Sequence, residues 1–128
     1  MKDYKQKNVK QSYSDDWATP KHIYDKYMSD GFIDPCPLYA NDFNFEPIDE
    51  KLFINPPYSN ITKWVEYAIN NHYYCGKKIV LLVPSRTDTK WFHKLLDYGV
   101  KLEFIKGRLK FGNSKTSAPF PSVLIHLE

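Results

Sequence analysis

Apolar positions in this chain alternate between helical spacing and short continuous runs, the pattern of short helices interleaved with buried strands. After Pro20, which is tolerated at a first helical turn, Ile23, Tyr24, Tyr27 and Met28 fall on one face until Gly31 supplies a stop, predicting a first helix. Phe32-Ile33 predicts a buried strand ending at Asp34-Pro35, and Leu52-Phe53-Ile54 a second that delivers Asn55 at its carboxyl end. Ser59 or Asn60 is the expected cap of a helix with Ile61, Trp64, Val65, Ala68 and Ile69 on its inner side. Lys78 to Val83 reads as the strongest strand, a β-branched run suited to the centre of a covered sheet. Thr87 or Asp88 would cap a third helix that turns Trp91, Phe92, Leu95 and Leu96 inward and ends at Gly99. Val100 to Ile105 and Ser122 to Leu127 complete the set, separated by a basic loop rich in Gly, Ser and Pro. The predicted class is α/β, a mostly parallel sheet with an antiparallel edge strand.

Open sheets of this kind bind ligands beyond the carboxyl ends of their strands, so Asp34, Asn55 and Ser85-Arg86 are expected on one rim. The 128 residues, 42% apolar, suffice for one domain with a modest core. Residues 15–128 are expected to form it, behind a flexible basic arm, residues 1–14, carrying Lys2, Lys5, Lys7 and Lys10. No apolar run approaches membrane-spanning length and the start is charged rather than signal-like, so a cytoplasmic protein is expected. Cys36 and Cys75 have no pairing pattern, and His22, His72, His93 and His126 are scattered, so neither a disulfide framework nor a metal is expected.

Charge is segregated beneath a net value of only +3. Residues 12–60 hold three lysines against nine carboxylates, a balance of −6, whereas residues 77–115 hold ten Lys and Arg against three carboxylates, a balance of +7. Lys106, Arg108, Lys110 and Lys115 are interleaved with Leu109 and Phe111, a pattern that suits phosphate neutralisation with aromatic surface left for contact. A solvated strand face with alternating charge accounts for the same letters.

The candidate chemistry lies in Asn55-Pro56-Pro57-Tyr58, directly after the apolar run. An aromatic amine attacks a methyl sulfonium poorly because its lone pair is delocalised into the ring. An Asn carbonyl and a neighbouring main-chain carbonyl, each accepting one N–H, would draw that lone pair out of conjugation and aim it. Charge developing on the nitrogen would be met by dipoles oriented in advance, and consecutive prolines hold such dipoles stiffly. Tyr58 would offer a flat face to an unstacked base. The plainer alternative is that Pro-Pro ends a strand and Asn opens a turn.

Several further segments occur in order: Trp17-Ala18-Thr19-Pro20, Asp34-Pro35-Cys36, Lys63-Trp64-Val65-Glu66, the run from Pro84 to His93, Phe104 to Lys115, and Ser117 to Ser122. Together with Asn55-Pro56-Pro57-Tyr58 they resemble the small phage-type DNA N-6-adenine methyltransferases over most of the chain. The resemblance implies a contracted Rossmann-like S-adenosylmethionine-dependent methyltransferase fold, S-adenosylmethionine as methyl donor, and the adenine amino group of DNA as acceptor. By the same likeness Asp34 and Cys36 would replace a glycine-rich donor loop, with Trp17, Thr19 and Pro20 closing over the donor's methionine end. Arg86 would hold a phosphate or fill the gap left by a flipped base, and Phe120 would be a second stacking wall. Only eighteen residues separate Cys36 from Asn55, fewer than the family leads one to expect, and Asp42, Glu46, Asp49 and Glu50 are the acids available for the donor ribose. A homodimer, one subunit completing the other's donor pocket, is one expectation that follows. An inactive relative that binds DNA or a host partner is another, and an amino group in RNA or in a protein Gln is a third acceptor class.

Overall fold

The computed structural model describes residues 18–36, 51–112 and 114–128. Helix α1 (Lys21–Ser29) precedes strand β1 (Lys51–Ile54), and a 3-10 turn (Tyr58–Asn60) leads into helix α2 (Ile61–Cys75). Strand β2 (Lys78–Pro84), helix α3 (Lys90–Tyr98) and strands β3 (Lys101–Phe104) and β4 (Ser122–Leu127) follow. The result is an α/β arrangement around one four-stranded mixed sheet of order β1-β2-β4-β3, compatible with a Rossmann-like fold.

The antiparallel strand is not at the edge. β1 and β2 pair in parallel, but β4 lies between β2 and β3 and is antiparallel to both. Two of the three ladders are therefore antiparallel, and the sheet is mixed rather than mostly parallel. Burial explains the placement. Ser122 to Ile125 and Leu127 of β4 are buried, so this strand needs cover on both faces and two hydrogen-bonded neighbours; β3, with Lys101, Glu103 and Phe104 exposed, tolerates the edge. The expected strand at Phe32-Ile33 is reduced to a single parallel bridge between Ile33 and Leu52. Phe32 instead packs edge-on to Tyr27 of α1, ring centroids 5.1 Å apart.

Period-two alternation along the strands divides the core into two layers. Leu52, Ile54, Ile79, Leu81, Val83, Val123 and Ile125 face Trp64, Val65 and Ala68 of α2 and Trp91, Phe92 and Leu95 of α3. On the other side Phe53, Val80, Leu82 and Leu124 meet Ile23 and Tyr27 of α1, together with Leu109, Phe111, Ala118 and Phe120. The described residues between β3 and β4 thus form a strap that closes the second face, and Tyr27 stacks on Phe53 at 4.9 Å.

Helix ends follow local chemistry. Pro20 starts α1, and Tyr24 and Met28 on that helix are less covered than Ile23 and Tyr27, so its inner stripe is narrower than expected. α2 runs through to Gly76, whose φ of 69° provides a left-handed stop. α3 is capped by Thr89 rather than Thr87 or Asp88: its hydroxyl accepts the Phe92 N–H at 3.3 Å and donates to the Arg86 carbonyl at 2.8 Å. Leu96 of α3 is exposed instead of inward-facing.

Candidate active site

β1 is short and apolar, and its ladder with β2 ends at Ile54, so Asn55 emerges at the rim as the chain leaves the sheet. Pro57, with φ −62° and ψ 137°, holds the chain extended after it. The next hydrogen-bonded turn begins only there, where the Pro57 carbonyl accepts the Asn60 N–H at 3.0 Å. Asn55 is half-buried, and its Nδ2 donates to the Thr19 hydroxyl at 3.0 Å. That bond fixes the rotation of the amide, so its carbonyl oxygen points to the opposite side of the group. The structure places the Thr19 hydroxyl on Asn55, thirty-six residues away in sequence. No local spacing signals the pair.

The strap holds this junction from outside. Gly112 N–H donates to the Ala18 carbonyl at 2.8 Å, and Ala118 N–H to the Leu109 carbonyl at 2.8 Å. Gly112 has φ +57°, and a side chain there would meet the Ala18 Cβ at 3.3 Å. Only glycine suits both the backbone conformation and the closeness of the two segments.

Tyr58 is largely enclosed. Phe120 lies against it with ring centroids 5.5 Å apart and planes at 69°, and the Arg86 guanidinium carbon sits 6.0 Å from the Phe120 ring. Burial pushes the Tyr58 hydroxyl pKa well up, and the nearby Arg86 cation offsets part of this. The structure brings Tyr58, Phe120 and Arg86 together, and the burial of Phe120 departs from the expectation of a stacking wall. At 6% exposure it is a core residue packed on Tyr58 and tilted against Phe111, so it presents no open stacking wall.

Leu109 and Phe111 are likewise buried, which corrects the expectation of aromatic surface between the strap cations. Apolar strap residues turn inward because, among the described residues, the second sheet face otherwise has α1 alone to cover it. Lys106, Arg108, Lys110 and Lys115 remain exposed, as does Arg86. The alternation from Arg108 to Phe111 carries this signal in the sequence, masked by the density of charge around it.

Asp34 and Cys36 lie beside β1, joined through the Ile33 bridge, and both are buried. The Cys36 N–H donates to Asp34 Oδ1 at 3.1 Å, a turn-closing bond. Burial raises the Asp34 pKa well above the usual carboxylate range, and the Cys36 hydrogen bond opposes the shift. A buried acid of this kind suits a cation brought by a ligand. Trp17, the 1–14 arm and the 37–50 stretch lie outside the described residues, and with them the four candidate ribose acids and the basis for a homodimer. Among the described residues no cluster of His, Cys, Asp and Glu fits a metal, and no helix is long and apolar enough to cross a membrane. Cys36 is buried and Cys75 exposed, and neither is in a disulfide.

Asn55-Pro56-Pro57-Tyr58 thus leaves a parallel strand at the rim of a mixed α/β sheet. The family model for DNA N-6-adenine-methyltransferase (Dam) matches residues 40–122, and the chain belongs to that family. The match takes in Asn55 to Tyr58, Arg86 and the strap, but not Thr19 or Asp34. A DNA N-6-adenine-methyltransferase of Haemophilus phage HP1 (strain HP1c1) is 29% identical over 126 residues, covering 85% of this chain and 73% of that protein. No solved structure matches the chain.

Proposed function

We propose that this chain transfers a methyl group from S-adenosylmethionine to the exocyclic amino group of adenine in DNA. The observation that carries the reading is the Asn55 amide, pinned by Thr19 at the carboxyl end of β1 beside Tyr58, in a chain of this family. When bound, S-adenosylmethionine supplies a methyl carbon made electrophilic by its sulfonium. The Asn55 side-chain oxygen and the Pro56 carbonyl each accept one N–H of the adenine amine, which localises the nitrogen lone pair. Their dipoles are held by the Thr19 bond and by the two prolines, so little reorganisation accompanies the charge that develops on nitrogen. Asp34, buried and lacking a cation among the described residues, would receive the ammonium of the donor's methionine end, with Cys36 holding its carboxyl in place. Tyr58 offers its ring to the extruded base beside the buried Phe120, and Arg86 supplies the counter-charge for a flanking phosphate.

The test is incorporation of labelled methyl from S-adenosylmethionine into mixed-sequence DNA, repeated with Asn55→Ala. Label in N6-methyladenine that disappears in the variant supports the reading. An inactive wild type that binds neither donor nor DNA refutes it.

A further inference from the structure

Thr19, which holds Asn55, is followed directly by Pro20, and Pro20 opens a groove of about 660 Å³ on the outside of the second core layer. Its walls come from two segments that the sequence separates widely: Pro20, Lys21, His22 and Asp25 from α1 and its start, and Arg108, Leu109 and Lys110 from the strap. Neither Asn55 nor Tyr58 lines it, so it adjoins the catalytic rim instead of forming part of it. The Gly112 to Ala18 hydrogen bond fixes the spacing of the two walls just beside the groove.

The lining is strongly biased toward positive charge. Lys21, Arg108 and Lys110 stand against a single carboxylate, Asp25, which is already engaged by Lys21 one helical turn away. All three cations are exposed, and the groove is open to solvent along its outer side. A small ligand is usually held in a pocket that buries most of its surface, whereas an open basic trough suits a charged polymer lying along it.

We propose that this groove seats the phosphodiester backbone of the acceptor strand immediately beside the target nucleotide. Lys21, Arg108 and Lys110 are its phosphate contacts, and Asp25 is an internal counter-ion that a phosphate displaces from Lys21. The inference rests on DNA being the acceptor. It separates these three cations from Lys106 and Lys115, which do not line the groove, and adds Lys21 from the acidic part of the sequence. The contacts are to backbone, so they set register and affinity without reading sequence.

The experiment is fluorescence anisotropy of a short DNA duplex with full-length protein, titrated from 50 to 200 mM salt. The variants are Lys21→Ala, Arg108→Ala and Lys110→Ala, singly and combined, with Asp25→Asn, and with Lys90→Ala on the opposite layer as control. Removing one phosphate-binding cation should reduce the log–log salt slope by about 0.9, so that the affinity drop across this range shrinks about 3.5-fold per cation removed. Asp25→Asn should bind more tightly than wild type, and Lys90→Ala should match wild type. Combined variants that keep the wild-type slope, or that lose donor affinity in calorimetry while DNA binding is unchanged, overturn the groove assignment and leave the acceptor reading intact. A wild type that binds no DNA even at 50 mM overturns both.

Discussion

Thr19→Val removes the hydroxyl that holds the Asn55 amide and leaves the rest of the rim in place. The bond is a neutral, partly buried one of 3.0 Å, so its net worth is about 1 kcal/mol. Expressed wholly as orientation in the transition state, that corresponds to about a fivefold loss in rate at saturating substrates. The loss should be far smaller than that of Asn55→Ala, about 100-fold or more, because the valine variant keeps the amide oxygen and loses only its aim. Single-turnover methyl transfer to DNA at saturating donor reads the rate, and calorimetry reads donor affinity. A positioning role predicts a slower step with unchanged donor binding, and near-wild-type rate for Thr19→Ser, which restores the hydroxyl. Weakened donor binding with an unchanged step, or a serine variant as slow as the valine one, would refute the reasoning and return Thr19 to the donor site.

Asp34→Asn should bind donor more weakly yet be more stable at neutral pH. The folded carboxyl has a raised pKa, so its contribution is fully present below the unfolded value near 4 and is lost as pH rises toward the folded value; urea melts should therefore show the gap between variant and wild type closing as pH falls to about 4. Gly112→Ala should lower both the melting temperature and the methylation rate, at a cost of about 1 kcal/mol or more from the left-handed backbone and the contact with Ala18. Tyr58→Phe should keep DNA methylation close to wild type, while Tyr58→Ala should lose about 1–3 kcal/mol of base stacking, seen as weaker binding of single-stranded DNA. Trp64→Ala, at a fully buried position between α2 and the sheet, should cost about 3–5 kcal/mol in chemical denaturation.

Local rules carried the chain a long way. The helical spacing of Ile61, Trp64, Val65 and Ala68 specifies a helix and the short β-branched run from Ile79 to Val83 a buried strand, and both formed as expected. The position of Asn55 follows for the same reason, since an apolar strand stopped by two prolines must release its next residue at the sheet's rim. Which neighbours those elements acquire is not written in any window of the chain. β4 entered the sheet between β2 and β3 because its two apolar faces gain most there, a comparison that exists only once the other strands are assembled. Phe111 and Phe120 turned inward because, among the described residues, α1 by itself leaves part of the second face bare, so residues that read as contact surface became core. Thr19 reached Asn55, and Lys21 came to face Arg108 and Lys110, across separations where closing the chain costs entropy that only the packed strap and helix offset.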